Sequence, residues 1–299
     1  MENKYTNEWF KKQALESIKS ISPNIWDFSD SSLLYVNPKA VDAYEEIQKE
    51  GDPYRDLVTI PETEYISKIS SSLTLELPNN FYYIDLGPGT EHKEKFLFNA
   101  LKNQNKKFTY FPVDISPYIL KTSKNFASEL EIETKPILAS FEECADYLPN
   151  DGIYRFVSIG LTFVNYNIQD IFKLFENIVD QSGSIFINSH IRERTNIQKI
   201  RDLYVAQLES MILPKIQLLN LEFKDLENIE VNDKVEVWCT IKNSSSILNE
   251  KGIKAGDKFL VFQSLRYSLD ELKSEIMKTF PNYSMFDTGA SFVGFLLKK

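Results

Sequence analysis

Residues 81–90 read FYYIDLGPGT, and this stretch decides the fold. A short apolar run ends in two glycines, and residues 91–101 then carry a helical pattern. Glycine has no Cβ, so a backbone can approach a ligand closely there. The stretch therefore predicts a strand, a ligand-binding turn and a helix in succession.

Strands and helices alternate on the C-terminal side of this turn. We predict strands at residues 108–114, 136–139, 153–160 and 184–189, with helices at 116–130 and 168–179. Strands separated by helices of this length are typical of βαβ units and a mostly parallel sheet. Right-handed crossovers would place the carboxyl ends of these strands on one common edge.

The alternation ends after residue 190. We predict a helix at residues 194–211, strands at 222–226, 235–242 and 258–264, a helix at 269–280 and a strand at 291–297. The pattern indicates a parallel α/β core interrupted by an inserted β-rich unit, with the N-terminal helices packing on that unit. The expected domains are residues 1–68 with 190–266, and residues 69–189 with 267–299.

Composition excludes several classes of function. The 299 residues carry 34 Lys and Arg against 43 Asp and Glu, a net charge of −9, which argues against coating nucleic acid. No apolar run approaches the roughly 18 residues of a membrane span, and the polar N-terminal stretch has no signal-peptide pattern, so we expect a cytoplasmic protein. Two cysteines and two histidines argue against a zinc site, a disulfide framework and a Ser-His-Asp hydrolase, and no metal is expected.

The glycine turn lacks the signals of a phosphate site. A dinucleotide loop would place a further glycine near position 92, which is His92, and a Walker loop would need Gly-Lys-Ser/Thr. Asp114 ends the second strand, where a carboxylate can accept two hydrogen bonds from a ribose diol. Asp85 could order the loop or face a cofactor ammonium through water. Together these features predict an S-adenosylmethionine site; the alternative is an ordinary turn, with Asp114 as a helix N-cap.

Four segments resemble the histidine-specific methyltransferase family of ergothioneine biosynthesis. YIDLGPGT at residues 83–90, followed by Lys93, resembles the family's Asp-Leu-Gly-Ser-Gly-Thr loop, and FPVDIS at 111–116 resembles its Tyr-x-Pro-x-Asp-x-Ser strand. SIGLTFVN at 158–165 is similar to its Leu-Gly-Ser-Thr-Ile-Gly-Asn segment, and QSLRYS at 263–268 to its Glu-x-Ser-x-Lys-Tyr-Ser segment. That family trimethylates the α-amine of histidine with S-adenosylmethionine, and its relatives methylate other amino acids.

The resemblance implies a class I, Rossmann-like methyltransferase core of α/β type. Its mostly parallel seven-stranded sheet would lie in residues 69–189 with 267–299 and would bind S-adenosylmethionine. The inserted α+β domain, residues 1–68 with 190–266, would bind and cap the substrate.

The resemblance and the strand ends together imply the site residues. The expected cofactor-binding residues are Asp85, Gly87, Gly89, Lys93, Asp114, Ser140, Phe141 and Gly160. The expected catalytic residues are Asn165, which would orient the substrate amine, and Tyr35. The expected substrate-binding residues are Tyr44, Tyr65, Asn165, Asn188, Phe262, Gln263 and Ser264. The alternatives are that Asn165 caps the helix from residue 168 and that the tyrosines belong to the core or the surface.

Departures from the family pattern change the expected substrate. The family's imidazole-binding Glu is replaced by Phe262, with Gln263 as its neighbour, and its adenine-contacting Asp is replaced by Ser140. We therefore expect N-methylation of an amino acid or a related small amine, not of histidine itself. We expect no nucleic-acid or membrane partner, and a monomer is favoured. The alternatives are O- or S-methylation, aminocarboxypropyl transfer, or a cofactor-binding protein without catalysis.

Overall fold

The computed structural model describes residues 4–35, 37–179, 182–231 and 234–299. The strands are β1 (Lys19–Ser22), β2 (Ile25–Asp27), β3 (Asn80–Leu86), β4 (Lys107–Asp114), β5 (Ile137–Leu138), β6 (Arg155–Ile159), β7 (Gly183–His190), β8 (Phe223–Val231), β9 (Lys234–Ile241), β10 (Lys258–Leu265), β11 (Tyr283–Asp287) and β12 (Phe292–Lys298). The α-helices are α1 (Asn7–Ser17), α2 (Pro38–Glu46), α3 (Ile60–Leu75), α4 (Lys95–Asn103), α5 (Pro117–Glu129), α6 (Ile168–Val179), α7 (Ile197–Gln217), α8 (Ser246–Glu250) and α9 (Leu269–Thr279). Within the described ranges, no helix combines the length and the apolar character needed to cross a membrane.

The chain divides into two compact units. The smaller unit comprises Met1–Tyr54 with Asn196–Arg266, and the larger comprises Arg55–Thr195 with Tyr267–Lys299. The expected boundary at residue 68 therefore differs from the observed one, because α3 packs on α4 and β12 of the larger unit. One face of α3 carries buried Tyr65, Ile66, Ile69 and Leu73, which explains why the helix belongs to that core.

The larger unit contains a seven-stranded sheet in the order β11-β12-β7-β6-β3-β4-β5. Strands β3 to β7 run parallel to one another, whereas β12 is antiparallel to both β7 and β11. The prediction of a mostly parallel seven-stranded sheet is confirmed.

Helices cover both faces of this sheet. Alternate strand residues point to opposite faces, so Ile84 belongs to one hydrophobic cluster and its neighbour Tyr83 to the other. The Ile84 cluster includes buried side chains of α6 and α9, and the Tyr83 cluster includes those of α3, α4 and α5. Burial on both faces explains why these strands are nearly continuous apolar runs.

The strand order reverses between β3 and β6. From β3 the chain continues outward to β4 and β5, whereas β6 lies on the other side of β3 and leads to β7. Ligands of open α/β sheets bind outside the carboxyl ends of the strands at such a switch point. Gly87 follows β3 and Gly160 follows β6, so both glycines lie there.

The smaller unit contains a five-stranded sheet in the order β1-β2-β10-β9-β8. Strands β2 and β10 are parallel, and the other pairs are antiparallel. Helices α2 and α7 pack against each other. Fully buried Lys215 of α7 donates hydrogen bonds to the carbonyls of Asp30 (2.8 Å) and Val261 (3.3 Å).

Candidate active site

The turn after β3 depends on glycine geometry. Gly87 and Gly89 have φ of +67° and +69°, in the left-handed region that favours glycine. A Cβ on Gly87 would lie 3.3 Å from Oγ1 of Thr162 and 3.4 Å from Cζ of Phe141. The turn therefore passes close to both side chains, and a larger residue would crowd them.

His92 occupies the position where a dinucleotide loop carries a further glycine. Its φ is +55°, so the backbone adopts the left-handed conformation without glycine. The imidazole ring stacks on Phe126, with 4.1 Å between ring centroids. This conformation also explains why α4 begins at Lys95, later than the sequence predicts.

Asp85 lies under the turn. It is buried; its Oδ1 accepts a hydrogen bond from the Ser158 hydroxyl (2.6 Å) and its Oδ2 one from the Tyr110 hydroxyl (2.9 Å). Burial raises the pKa of this carboxyl. Because both oxygens are bound within the fold, the geometry favours the loop-ordering role over a water-mediated contact with the cofactor.

Asp114 ends β4 as a buried carboxylate. Its Oδ1 accepts the backbone N–H of Ser116 at 2.7 Å, which fixes the side chain at the strand end. The N-cap of α5 is Ser116, not Asp114. Burial raises the pKa of Asp114 to about 7. The buried Ser116 hydroxyl has no hydrogen-bond partner among the described residues, so it could bind a ligand.

Phe141 supplies an aromatic surface next to the turn. The half-buried ring lies against Gly87, and its centroid is 6.1 Å from that of Tyr166. Ser140 precedes it and is also half-buried. This places both expected adenine-side residues just after β5, on the same sheet edge as Asp114.

Three polar side chains meet at Gly160. Lys93 Nζ lies 3.1 Å from Glu62 Oε2, and the Asn188 amide donates to Glu62 Oε1 at 2.8 Å. A Cβ on Gly160 would lie 2.8 Å from Lys93 Nζ and 3.1 Å from Glu62 Oε1. Lys93 and Gly160, both expected at the cofactor site, therefore lie next to each other. Asn188 is only 2% exposed and binds Glu62, which does not support its expected contact with substrate.

Glu62 was missed by the sequence interpretation, although a signal exists. It lies on the apolar face of α3, in helical register with Ile66, Ile69 and Leu73. A carboxylate on such a face is expensive to bury unless it is paired and hydrogen-bonded. The sequence thus marks Glu62 as unusual, but it does not reveal the partners Lys93 and Asn188.

Asn165 ends a 3-10 turn, Leu161–Asn165, that follows Gly160. Its side chain is half-buried. The capping role considered for it belongs to Asn167, whose Oδ1 accepts the N–H of Gln169 (2.9 Å) and whose carbonyl accepts that of Ile171 (3.1 Å). The carboxamide of Asn165 is therefore not used to start α6.

Tyr65 is a correction to the expected substrate site. It is 2% exposed, and its hydroxyl donates to the carbonyl of Phe286 at 2.7 Å. The ring stacks on Phe292 at 5.9 Å, and burial raises the pKa of the hydroxyl. Tyr65 is a core residue of the larger unit.

The remaining expected residues lie in the smaller unit. Tyr35 and Tyr44 are half-buried, and their rings meet edge to face at 5.6 Å. On β10, Phe262 is buried, Gln263 is half-buried, and the buried Ser264 hydroxyl accepts a hydrogen bond from Arg266 at 2.8 Å. All five residues therefore belong to the smaller unit.

Glu236 is a second residue that the sequence interpretation missed. It lies opposite Gln263 in the β9–β10 register, so the two share one face of the sheet. Its carboxylate lies 2.6 Å from Lys234 Nζ and accepts the indole N–H of Trp238 at 2.9 Å. β10 carries no carboxylate next to Ser264, but Glu236 on the neighbouring strand β9 supplies one, and Lys234 and Trp238 are bonded to it.

These residues fit S-adenosylmethionine. The turn at Gly87 accepts a close backbone approach, and Asp114 would gain hydrogen bonds to its charged form from a diol. Phe141 offers a stacking surface for a base, and Lys93 offers a charge for a carboxylate. All four lie at the switch point or on the adjoining carboxyl edge of the sheet.

Comparison with known proteins gives the family. A model of the histidine-specific, SAM-dependent methyltransferase family matches residues 42–193, just over half of the chain. No curated protein matches the sequence.

Similar solved structures are distant in sequence. An S-adenosylmethionine-dependent methyltransferase from Clostridium acetobutylicum is 13% identical with a TM-score of 0.46, covering 86% of this chain and 98% of that one. Magnesium protoporphyrin IX methyltransferase from Synechocystis, solved with bound S-adenosylmethionine, is 10% identical with a TM-score of 0.39, covering 66% and 88%. The plantazolicin methyltransferase BamL is 12% identical with a TM-score of 0.41, covering 98% and 97%.

The match over residues 42–193 includes the glycine turn, Asp114 and Asn165, which the sheet assembles on one edge. The protein has a class I methyltransferase core and uses S-adenosylmethionine. The chain belongs to the histidine-specific, S-adenosylmethionine-dependent methyltransferase family.

Proposed function

We propose that this protein methylates the amine nitrogen of an amino acid or a related small molecule other than histidine. The observation that carries the proposal is the position of Asn165. Its half-buried carboxamide follows Gly160 at the switch point and is not used as a helix cap. A carboxamide oxygen there can accept a hydrogen bond from a substrate amine.

The cofactor is held by groups of the larger unit. When bound, S-adenosylmethionine supplies an electrophilic methyl group on a sulfonium. Asp114 would accept hydrogen bonds from the ribose diol, and Phe141 would pack against the adenine. The turn at Gly87 and Gly89 would lie along the methionine-like part, with Lys93 paired to its carboxylate.

The environment of Asn165 would favour the neutral form of the substrate amine, and its carboxamide would orient that amine. An α-ammonium has a pKa near 8 and must lose a proton before its nitrogen can attack. Burial lowers that pKa because it desolvates the charge. Asn165 would accept an N–H of the neutral amine and aim its lone pair, and positioning of this kind can supply much of the rate. A strong dedicated base is therefore unnecessary.

The smaller unit would recognise the rest of the substrate, with Tyr35 and Tyr44 as candidates for its carboxylate. Phe262 is apolar, and both oxygens of Glu236 are already bonded, one to Lys234 and the other to Trp238, which weakens its attraction for an imidazolium. Burying a polar ring without a full set of partners would be costly. We therefore propose a substrate with an apolar or aromatic side chain.

The test is a methyl-transfer screen read by product mass. Purified protein is incubated with S-adenosylmethionine and a panel of amino acids and dipeptides, and fragmentation locates the added group. The proposal predicts one or more methyl groups on the amine nitrogen, with apolar or aromatic substrates faster than histidine. An aminocarboxypropyl product, methylation on oxygen or sulfur, or histidine as the fastest substrate would contradict it.

A further inference from the structure

The stability of the fold does not by itself explain the buried ion pair of Glu62 and Lys93. The two side chains are 6% and 16% exposed, and they come from α3 and from the turn before α4. A buried ion pair pays a large desolvation cost, and well-packed apolar residues often stabilise a fold as well or better. The location of the pair at the switch point points to the ligand instead.

Glu62 is held on both of its oxygens. Oε2 faces Lys93 at 3.1 Å, and Oε1 accepts from Asn188 of β7 at 2.8 Å. The carboxylate therefore cannot rotate freely, and the lysine ammonium is fixed against Gly160. An ammonium has three N–H donors, and the bond to Glu62 uses one of them.

Glu62 also fixes the charge of Lys93. Burial alone would lower the pKa of the lysine, but the carboxylates of Glu62, Glu91 and Glu94 outweigh this effect and raise it. The raised pKa favours the protonated form of Lys93. A protonated, immobile lysine is preorganised for an anionic ligand group.

We propose that Glu62 is a positioning residue that holds the Lys93 ammonium at Gly160 to bind the carboxylate of S-adenosylmethionine, with Asn188 fixing Glu62 in turn. The inference rests on the proposed contact between Lys93 and the cofactor. Glu62 itself touches neither cofactor nor substrate in this account, so its effect must pass through Lys93.

Two ligands separate this role from a general structural one. S-Adenosylhomocysteine carries the amino-acid carboxylate, whereas 5′-methylthioadenosine keeps the adenine and ribose but lacks the amino-acid part. Their affinities are measured by calorimetry without substrate for the wild type, Glu62→Gln, Lys93→Met and the double variant. We expect Glu62→Gln to weaken S-adenosylhomocysteine by roughly tenfold, about 1.4 kcal/mol, and to leave 5′-methylthioadenosine unchanged. In the Lys93→Met background, Glu62→Gln should not weaken S-adenosylhomocysteine any further.

Glu76→Gln is the matched control. Glu76 follows the same helix at its other end, and its carboxylate also binds a lysine, Lys298 at 2.6 Å, and a second donor, the Ser284 hydroxyl at 2.5 Å. The chemical change is identical, but its site is the antiparallel β11–β12 edge. We expect both ligands to bind this variant as they bind the wild type.

Each other outcome overturns the inference in a recognisable way. Equal weakening of both ligands by Glu62→Gln would assign it a structural role. An unchanged affinity for S-adenosylhomocysteine would show that Glu62 does not act on the cofactor. Additive weakening by Glu62→Gln and Lys93→Met would mean that Glu62 acts independently of Lys93, which contradicts a positioning role. Failure of the wild type to bind either ligand would contradict the cofactor site itself, and not Glu62 alone.

Discussion

We expect the buried carboxyl of Asp114 to make cofactor binding depend on pH. Its pKa is raised by burial to about 7 in the unliganded protein. Hydrogen bonds from a ribose diol stabilise the charged carboxylate, so the ligand prefers the ionised form and lowers this pKa. Affinity should therefore fall as pH falls through 7.

The size of the effect follows from the titration. With a pKa near 7, Asp114 is about nine-tenths ionised at pH 8 and about one-tenth ionised at pH 6. If only the ionised form binds the diol, affinity decreases by roughly tenfold between these values, about 1.4 kcal/mol. Stability without ligand has the opposite sign. The folded state binds the extra proton between about pH 4 and 7, so stability falls as pH rises there, by at most about 4 kcal/mol.

5′-Methylthioadenosine is the best ligand for this assay, because it keeps the diol and has no amino-acid groups that titrate. Calorimetry between pH 6 and 8 gives its affinity for the wild type and for Asp114→Asn. The asparagine oxygen can still accept the Ser116 N–H, so the turn should remain intact. The variant should bind more weakly at pH 8 and show no comparable pH dependence.

The reasoning is refuted by a flat profile in the wild type. It is also refuted if Asp114→Asn keeps the same slope, since the proton would then belong to another group. Asp85 and Glu94, whose pKa values burial also raises, are the other acids that would be responsible.

Three further predictions test other parts of the account. Gly87→Ala should weaken 5′-methylthioadenosine in calorimetry, because an L-residue at φ +67° costs about 1–2 kcal/mol and the new Cβ crowds Phe141; Gly152→Ala, at φ +76° in open space, should lower thermal stability alone. Asn165→Ala should lower kcat by roughly a hundredfold and leave S-adenosylhomocysteine affinity unchanged, and equal activity would remove its assigned role. Burial lowers the pKa of Lys215 to about 7, so above pH 7 the unfolded chain binds more protons than the folded one and the free energy of unfolding rises with pH. Lys215→Met should remove about 2 kcal/mol of that rise between pH 7 and 9, as measured by denaturant unfolding. An unchanged slope in the variant would contradict a neutral buried lysine.

Local sequence signals predict the core of the larger unit and part of the geometry of the candidate site. The period of strands and helices predicts the parallel sheet, because each apolar run is buried on both faces. Gly87 and Asp114 are predictable since a positive φ and a strand-end carboxylate depend on few neighbours. The common edge follows from the handedness of the crossovers.

The parts that the sequence could not supply depend on distant contacts. The partnership of Glu62 with Asn188 joins residues 126 positions apart, and Glu236 meets Gln263 only through strand register. Tyr65 was expected to bind substrate, but its hydroxyl donates to a backbone carbonyl that only the folded sheet brings near. The boundary at residue 54 was not predicted because the sequence of α3 shows an apolar face, but not whether this face packs in the core of the smaller or of the larger unit.

We propose that the turn after β3 and the acid ending β4 hold S-adenosylmethionine. A crystal structure with S-adenosylhomocysteine is the decisive test. We expect ribose hydroxyls within hydrogen-bond distance of Asp114 and the ligand's carboxylate at Lys93, beside Gly87 and Gly160. Ligand density elsewhere on the protein, or a ribose bound away from Asp114, would contradict it.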